Sequence, residues 1–146
     1  MTKHTRNISA FVDAAESSSD QIAKAYFGLV AVELVLKEAT GLKDHNVPAA
    51  LNKFAHIYAV DRMRGCKIKI ISLSAQLGNA LRAINVLGID GNARSAPPDS
   101  YPNIRYTRYL SDGWSEPATS DEQAKVLCDV VSDARAYLTG KFGKVL

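Results

Sequence analysis

The most apolar element of the chain lies between Asp20 and Gly41. Its centre reads Ala25-Tyr26-Phe27-Gly28-Leu29-Val30-Ala31-Val32-Glu33-Leu34-Val35-Leu36-Lys37. Ile22, Tyr26, Leu29, Val30, Leu34 and Leu36 cover more than one stripe of a helical wheel, which predicts a helix packed on several sides. Ser19 or Asp20 offers its N-cap, because a short oxygen-bearing side chain can accept from the first free amides. Gly41 supplies the C-terminal stop, since glycine takes the left-handed conformation without penalty. The apolar run from Ala25 to Leu36 is shorter than the ~20 residues needed to cross a bilayer, and Glu33 interrupts it.

Upstream, Ile8, Phe11, Val12 and Ala15 predict a first helix over Asn7 to Ala15, ended by Ser17-Ser18-Ser19, whose hydroxyls compete for the backbone. Downstream, Asn46 can cap a third helix with Pro48 in its first turn. Val47, Leu51, Phe54 and Tyr58 line its buried face, and Arg62-Met63-Arg64-Gly65 reads as a break. Ile70, Leu73, Leu77, Leu81, Ile84 and Leu87 predict a fourth helix over Lys67 to Leu87, with Gly78 marking a close crossing and Gly88 ending it. Ile89 to Thr119 then reads as a long irregular connection holding Pro97, Pro98, Pro102 and Pro117. Such connections are often functional. Ser120-Asp121-Glu122-Gln123 is a capping box for the last helix, whose face is Val126, Leu127, Val130, Val131, Ala134, Tyr137 and Leu138, with Gly140 as its stop. The expected fold is all-α, an up-and-down bundle of four to five helices with a long loop before the last. It forms one domain over residues 1–146.

The composition agrees. The 146 residues are 47% hydrophobic and 23% charged with a net charge of +3, which suits a globular domain and excludes wholesale disorder. The charge is uneven. Lys53, Arg62, Arg64, Lys67, Lys69 and Arg82 lie in one stretch, and Asp112, Glu116, Asp121, Glu122, Asp129 and Asp133 in another. That polarity suits an anionic partner or a self-complementary dimer. The first residues, Met1 to Arg6, lack the apolar run of a secretory signal. Cys66 and Cys128 are too far apart in sequence for a zinc knuckle and too few for a disulfide scaffold. A cytoplasmic chain with two reduced thiols, and with no membrane partner, is expected.

For chemistry, His4, His45 and His56 form no ligand pattern, so no metal and no cofactor is expected. Phosphate-binding glycine loops and a nucleophile elbow are also missing. Glu33 is the odd residue of the central helix and must pair or reach water. Arg105 and Arg108 are natural partners. His45 leads into the third helix, or serves as a general base. Tyr101-Pro102-Asn103-Ile104-Arg105-Tyr106-Thr107-Arg108-Tyr109 alternates basic and aromatic residues. It reads either as a stacking and phosphate-contacting strip for RNA or a nucleotide, or as a loop pinned by aromatic burial and one Arg–carboxylate pair.

These residues suggest a family. Ala25 to Lys37, with its Glu33-x-x-x-Lys37 step, resembles the second helix of HEPN domains. Asp44-His45-Asn46-Val47, followed by Leu51, is similar to that family's short Gly-His-Asp-Leu-like lead-in to its third helix. Ile104-Arg105-Tyr106 resembles the Arg-Tyr-Pro segment before its last helix. The resemblance covers about residues 7 to 140. It implies a helical bundle, often a homodimer, in a prokaryotic cytoplasm. It further implies a nucleotidyltransferase or antitoxin partner and a role in toxin–antitoxin or phage-defence systems. Active members are metal-independent ribonucleases with an Arg…His motif near the last helices. No histidine follows His56 here, and Thr107 stands where proline is usual. The expectation is therefore a non-catalytic module for dimerisation and for binding a partner protein, nucleotide or RNA, with Glu33, His45, Arg105 and Tyr106 shaping its ligand site. The alternatives are a divergent ribonuclease using His45 with Arg105 or Arg108, and a structural bundle with no ligand.

Overall fold

The computed structural model describes residues 3–58, 64–88, 92–95, 114–117 and 120–142. Among these residues the chain is an all-α bundle of five helices: α1 (Lys3–Ser17), α2 (Gln21–Thr40), α3 (Val47–Tyr58), α4 (Arg64–Ala83) and α5 (Asp121–Phe142). Helices α2, α3, α4 and α5 form a ring in which each packs on the next and α5 returns to α2, while α1 lies against α2. The central place expected for Asp20 to Gly41 follows. Leu29, Ala31, Val32 and Leu36 are almost wholly buried, and α2 meets three other helices.

The caps act as their side chains predict. Asp20 is the N-cap of α2 and accepts from the Ala23 amide at 2.8 Å. Asn46 caps α3 by accepting from the Ala49 amide at 3.1 Å. At α5 both halves of the capping box are made. The Gln123 amide donates to Ser120 Oγ at 3.2 Å, and the Ser120 amide donates to Gln123 Oε1 at 3.0 Å.

The core follows the helical spacing. Ile70, Leu73, Leu77 and Leu81 of α4 and Ile84 just past its end are fully buried, and all of these but Leu73 share one core with Val47, Leu51 and Phe54 of α3 and Leu127, Val131 and Leu138 of α5. Phe54 stacks on Tyr58 and meets Phe142 edge-on, at centroid distances of 4.6 and 5.0 Å. Cys128 is buried and Cys66 half-buried, and neither is in a disulfide.

The α2–α3 step does more than reverse the chain. Residues 41–46 double back along α2, so that His45 meets Glu33, about two turns before the helix ends. From there α3 runs forward again, and the Tyr58 hydroxyl donates to the Ala39 carbonyl at 3.1 Å. The next two packings are antiparallel. Ser74, midway along α4, donates to the Pro48 carbonyl at the start of α3 at 2.6 Å. The Tyr137 hydroxyl, near the end of α5, hydrogen-bonds Cys66 at the start of α4.

Four boundaries differ from expectation. The first helix is longer at both ends, covering Lys3–Ser17. The fourth begins at Arg64 and stops at Ala83, so Gly65 lies inside it and Leu87 does not. Asn85–Gly88 is instead strand β1, paired antiparallel with β2 (Ala93–Ser95) and β3 (Trp114–Pro117) in the order β2-β1-β3. The connection expected to be irregular thus holds two strands of a small sheet, with a register shift at Leu87/Gly88. Strands of three and four residues are too short for a period of two to be read, and their partners lie far along the chain. Finally, α5 passes through Gly140 to Phe142. Among the described residues only Gly41 has positive φ, so Gly140 does not act as a stop.

The close helix crossing also sits elsewhere. At Gly78 a methyl group would find ordinary contacts, the nearest 3.6 Å away on the Arg82 side chain. At Gly28 it would lie 2.7 Å from Val131 Cγ1. The tight approach is that of α2 and α5.

Candidate functional site

Glu33 sits on the fourth turn of α2, between the buried Val32 and the buried Val35 and Leu36. It is 7% exposed, and its carboxylate is satisfied twice. Lys37 Nζ lies 2.7 Å from Oε1, one turn further along the same helix face, and His45 Nδ1 lies 2.6 Å from the same oxygen. The i,i+4 spacing brings Glu33 and Lys37 together on any helix. His45 arrives by a different route, through the shape of the α2–α3 turn.

That turn is fixed at both ends. Gly41 adopts φ 71°, and its amide donates to the Lys37 carbonyl at 2.8 Å, which closes α2 in the left-handed manner that glycine allows. Thr40 Oγ1 donates back to the Leu36 carbonyl at 2.6 Å and accepts from the Leu42 amide at 3.4 Å. On the other side Asp44 Oδ1 accepts from the Asn46 amide at 3.0 Å, an Asx turn, and the Val47 amide donates to the His45 carbonyl at 3.0 Å. His45 is therefore held between an Asx turn and the cap of α3, with its ring laid on Glu33.

The three side chains form a graded cluster. Glu33 is nearly buried, Lys37 is 27% exposed at its side chain and His45 is 54% exposed. The carboxylate lies inside and the two nitrogen-bearing groups carry it to the surface. A carboxylate against Nδ1 fixes the ring's orientation and favours the tautomer protonated there, as outer carboxylates do for catalytic and ligand-binding histidines.

Of the residues expected at the site, Glu33 and His45 meet. Lys37 joins them, and its signal was the Glu-x-x-x-Lys step itself. Arg105, Tyr106 and Arg108 lie outside the described residues, as do the rest of the stretch from Tyr101 to Tyr109. The partners found for Glu33 are thus Lys37 and His45. His56 is exposed in the last turn of α3, well along the helix from this cluster. Among the described residues no group of three His, Cys, Asp or Glu side chains is placed to hold a metal ion. No helix among them is long and apolar enough to cross a membrane. No family model, curated protein or solved structure matches the chain.

Proposed function

We propose that the chain is a HEPN-like binding module, and that the Glu33–Lys37–His45 cluster is where it receives a partner protein, a nucleotide or RNA. The observation that carries this reading is the pairing of an exposed imidazole with a nearly buried carboxylate, 2.6 Å apart. A bundle needing only a core has no use for a carboxylate in its central helix, because burying one costs stability unless it is paired. An oriented imidazole beside an ammonium group presents positive charge and hydrogen-bond donors at the surface, which suits an anionic ligand. Arg105 and Tyr106 extend this site in the proposal, by the resemblance of their segment. The setting suggested by that resemblance is a homodimer acting with an antitoxin or nucleotidyltransferase partner in a prokaryotic cytoplasm.

The test is size-exclusion chromatography with light scattering and the ratio of nucleic-acid to protein absorbance. It is followed by amide NMR titration with a nucleotide and a short RNA. Shifts centred on residues 33–46 that weaken with salt, and that vanish in His45→Ala, are expected. A monomer that carries no nucleic acid and shows no shift at these residues refutes the reading.

One feature favours a second reading. A carboxylate that orients an imidazole is also how a general base is held, so His45 fits a divergent ribonuclease acting without metal, with Arg105 or Arg108 stabilising the developing charge. Cleavage of RNA in the presence of a chelator, abolished by His45→Ala and by Arg105→Ala, distinguishes this from binding alone.

A further inference from the structure

A second polar feature lies on another face of the molecule. Helices α1, α2 and α5 enclose an open groove of about 640 Å³, lined by Lys24 and Gly28 of α2, Glu16 of α1, and Val131, Ser132 and Arg135 of α5, among others. Arg135 lines this groove with a side chain only 16% exposed. Its Nε is buried and has no hydrogen-bond partner. The carboxylate facing it, Glu16, stands 3.7 Å from Nη2, beyond hydrogen-bond distance, and its own side chain is 69% exposed. A guanidinium has five N–H donors in a fixed fork. Here Nε is withdrawn from water without a partner, and Nη2 has only the loose ion pair with Glu16.

We propose that this groove binds a phosphate monoester, with Arg135 gripping the phosphoryl oxygens and Glu16 moving aside to admit them. The geometry supplies the reason for each part. An Arg fork matches two oxygens of a phosphoryl group better than any single oxygen. Lys24 adds a second positive charge to the same groove, which favours a dianion over a carboxylate, and the Ser132 hydroxyl can donate as well. Gly28 and Val131 bring α2 and α5 close together at the groove, so the wall there is apolar and suits an apolar or aromatic body on the phosphate. The weak, exposed contact to Glu16 is of the kind that an incoming anion can replace, because surface pairs contribute little. This groove shares no residue with the Glu33–His45 cluster and does not depend on the function proposed for it.

The test is calorimetric titration of the full chain with phenyl phosphate, with phenol and inorganic phosphate as controls. Saturable binding of phenyl phosphate is expected, tighter than for either control. Arg135→Gln is expected to weaken it by about tenfold or more, the scale of a lost charge-assisted hydrogen bond. Glu16→Gln is expected to tighten it, because the competing carboxylate is gone. A purely structural Glu16–Arg135 pair would not produce that gain. His45→Ala is expected to leave binding unchanged. Should Arg135→Gln fail to fold, Lys24→Gln and Glu16→Gln carry the test, with loss and gain of affinity respectively. Absence of saturable binding, equal affinity in Arg135→Gln, or weaker binding in Glu16→Gln overturns the proposal.

Discussion

Replacing Gly28 by alanine sets two effects of opposite sign against each other. Helix propensity alone favours the change by about 0.8–1 kcal/mol, because glycine leaves more backbone freedom to lose. The structure opposes it. The new methyl carbon would lie 2.7 Å from Val131 Cγ1, about 1 Å inside the ordinary carbon–carbon contact distance. Val131 cannot swing away cheaply. It is a β-branched residue within α5, where one χ1 rotamer dominates, and it is 2% exposed, so other side chains surround it. The α2–α5 crossing must therefore open slightly, and overpacking of this kind costs about 1–3 kcal/mol. The clash outweighs the propensity gain. Gly28→Ala is expected to destabilise the chain by about 0.5–2 kcal/mol. The cycle with Val131→Ala isolates the cause. Without Cγ1 there is nothing to strike, so in that background Gly28→Ala is expected to stabilise by up to about 1 kcal/mol. The sign change is read from urea denaturation followed by helical circular dichroism. A stabilising Gly28→Ala in the wild-type background, or the same change in both backgrounds, refutes the reasoning.

Three further outcomes are expected. Glu33→Ala should cost about 1–2 kcal/mol, less than the loss of one member of a fully buried pair, because Lys37 and His45 return to water once released. Glu33→Gln should cost less, since its amide oxygen still accepts, and denaturant titration of both variants checks the order. Gly41→Ala places a side chain at φ 71° and should cost about 1–2 kcal/mol. It should also speed hydrogen exchange at the Asn46 and Ala49 amides, whose partners position His45. The Tyr137 phenol is pushed up to about 12 by burial and by its hydrogen bond to Cys66. The fold therefore favours the neutral phenol. Unfolded tyrosine ionises near 10.0, so this contribution to stability is intact below that pH and is lost as pH rises from there towards about 12. Cys66→Ala should bring the Tyr137 step, taken as the absorbance difference from Tyr137→Phe, down towards the ordinary value. An unchanged midpoint would show that Cys66 plays no part.

Much of this molecule is legible along the chain because the deciding interactions are local. An apolar residue every third or fourth position places Ile70, Leu73, Leu77, Leu81 and Ile84 on one face whatever they pack against. Asp20, Asn46 and Ser120 cap helices with groups no more than three residues away, and Glu33 reaches Lys37 across one helical turn. Glu33 also stood out as a charge that had to pair or reach water. The misread parts lie where interactions are not local. Asn85 to Gly88 leaves the helical pattern because Ala93 to Ser95 and Trp114 to Pro117 are available to pair with it, and four residues carry no period that announces this. Gly28, and not Gly78, marks the close crossing, because only the approach of α5 brings Val131 over one glycine and leaves the other in ordinary contact.

The candidate site divides along the same line. Legible along the chain were a bundle of four to five helices, their apolar faces, the caps at Asn46 and Ser120 and at Ser19 or Asp20, and a carboxylate in the central helix that had to pair or reach water, since each depends on neighbours within a few residues. The folded chain alone reveals that the turn after Gly41 runs back along α2 and lays His45 on Glu33, and that α1, α2 and α5 close a groove lined by Arg135. The first depends on the path of a six-residue turn that no periodic pattern announces and that joins residues twelve positions apart, and the second on how whole helices pack, through side chains more than a hundred positions apart.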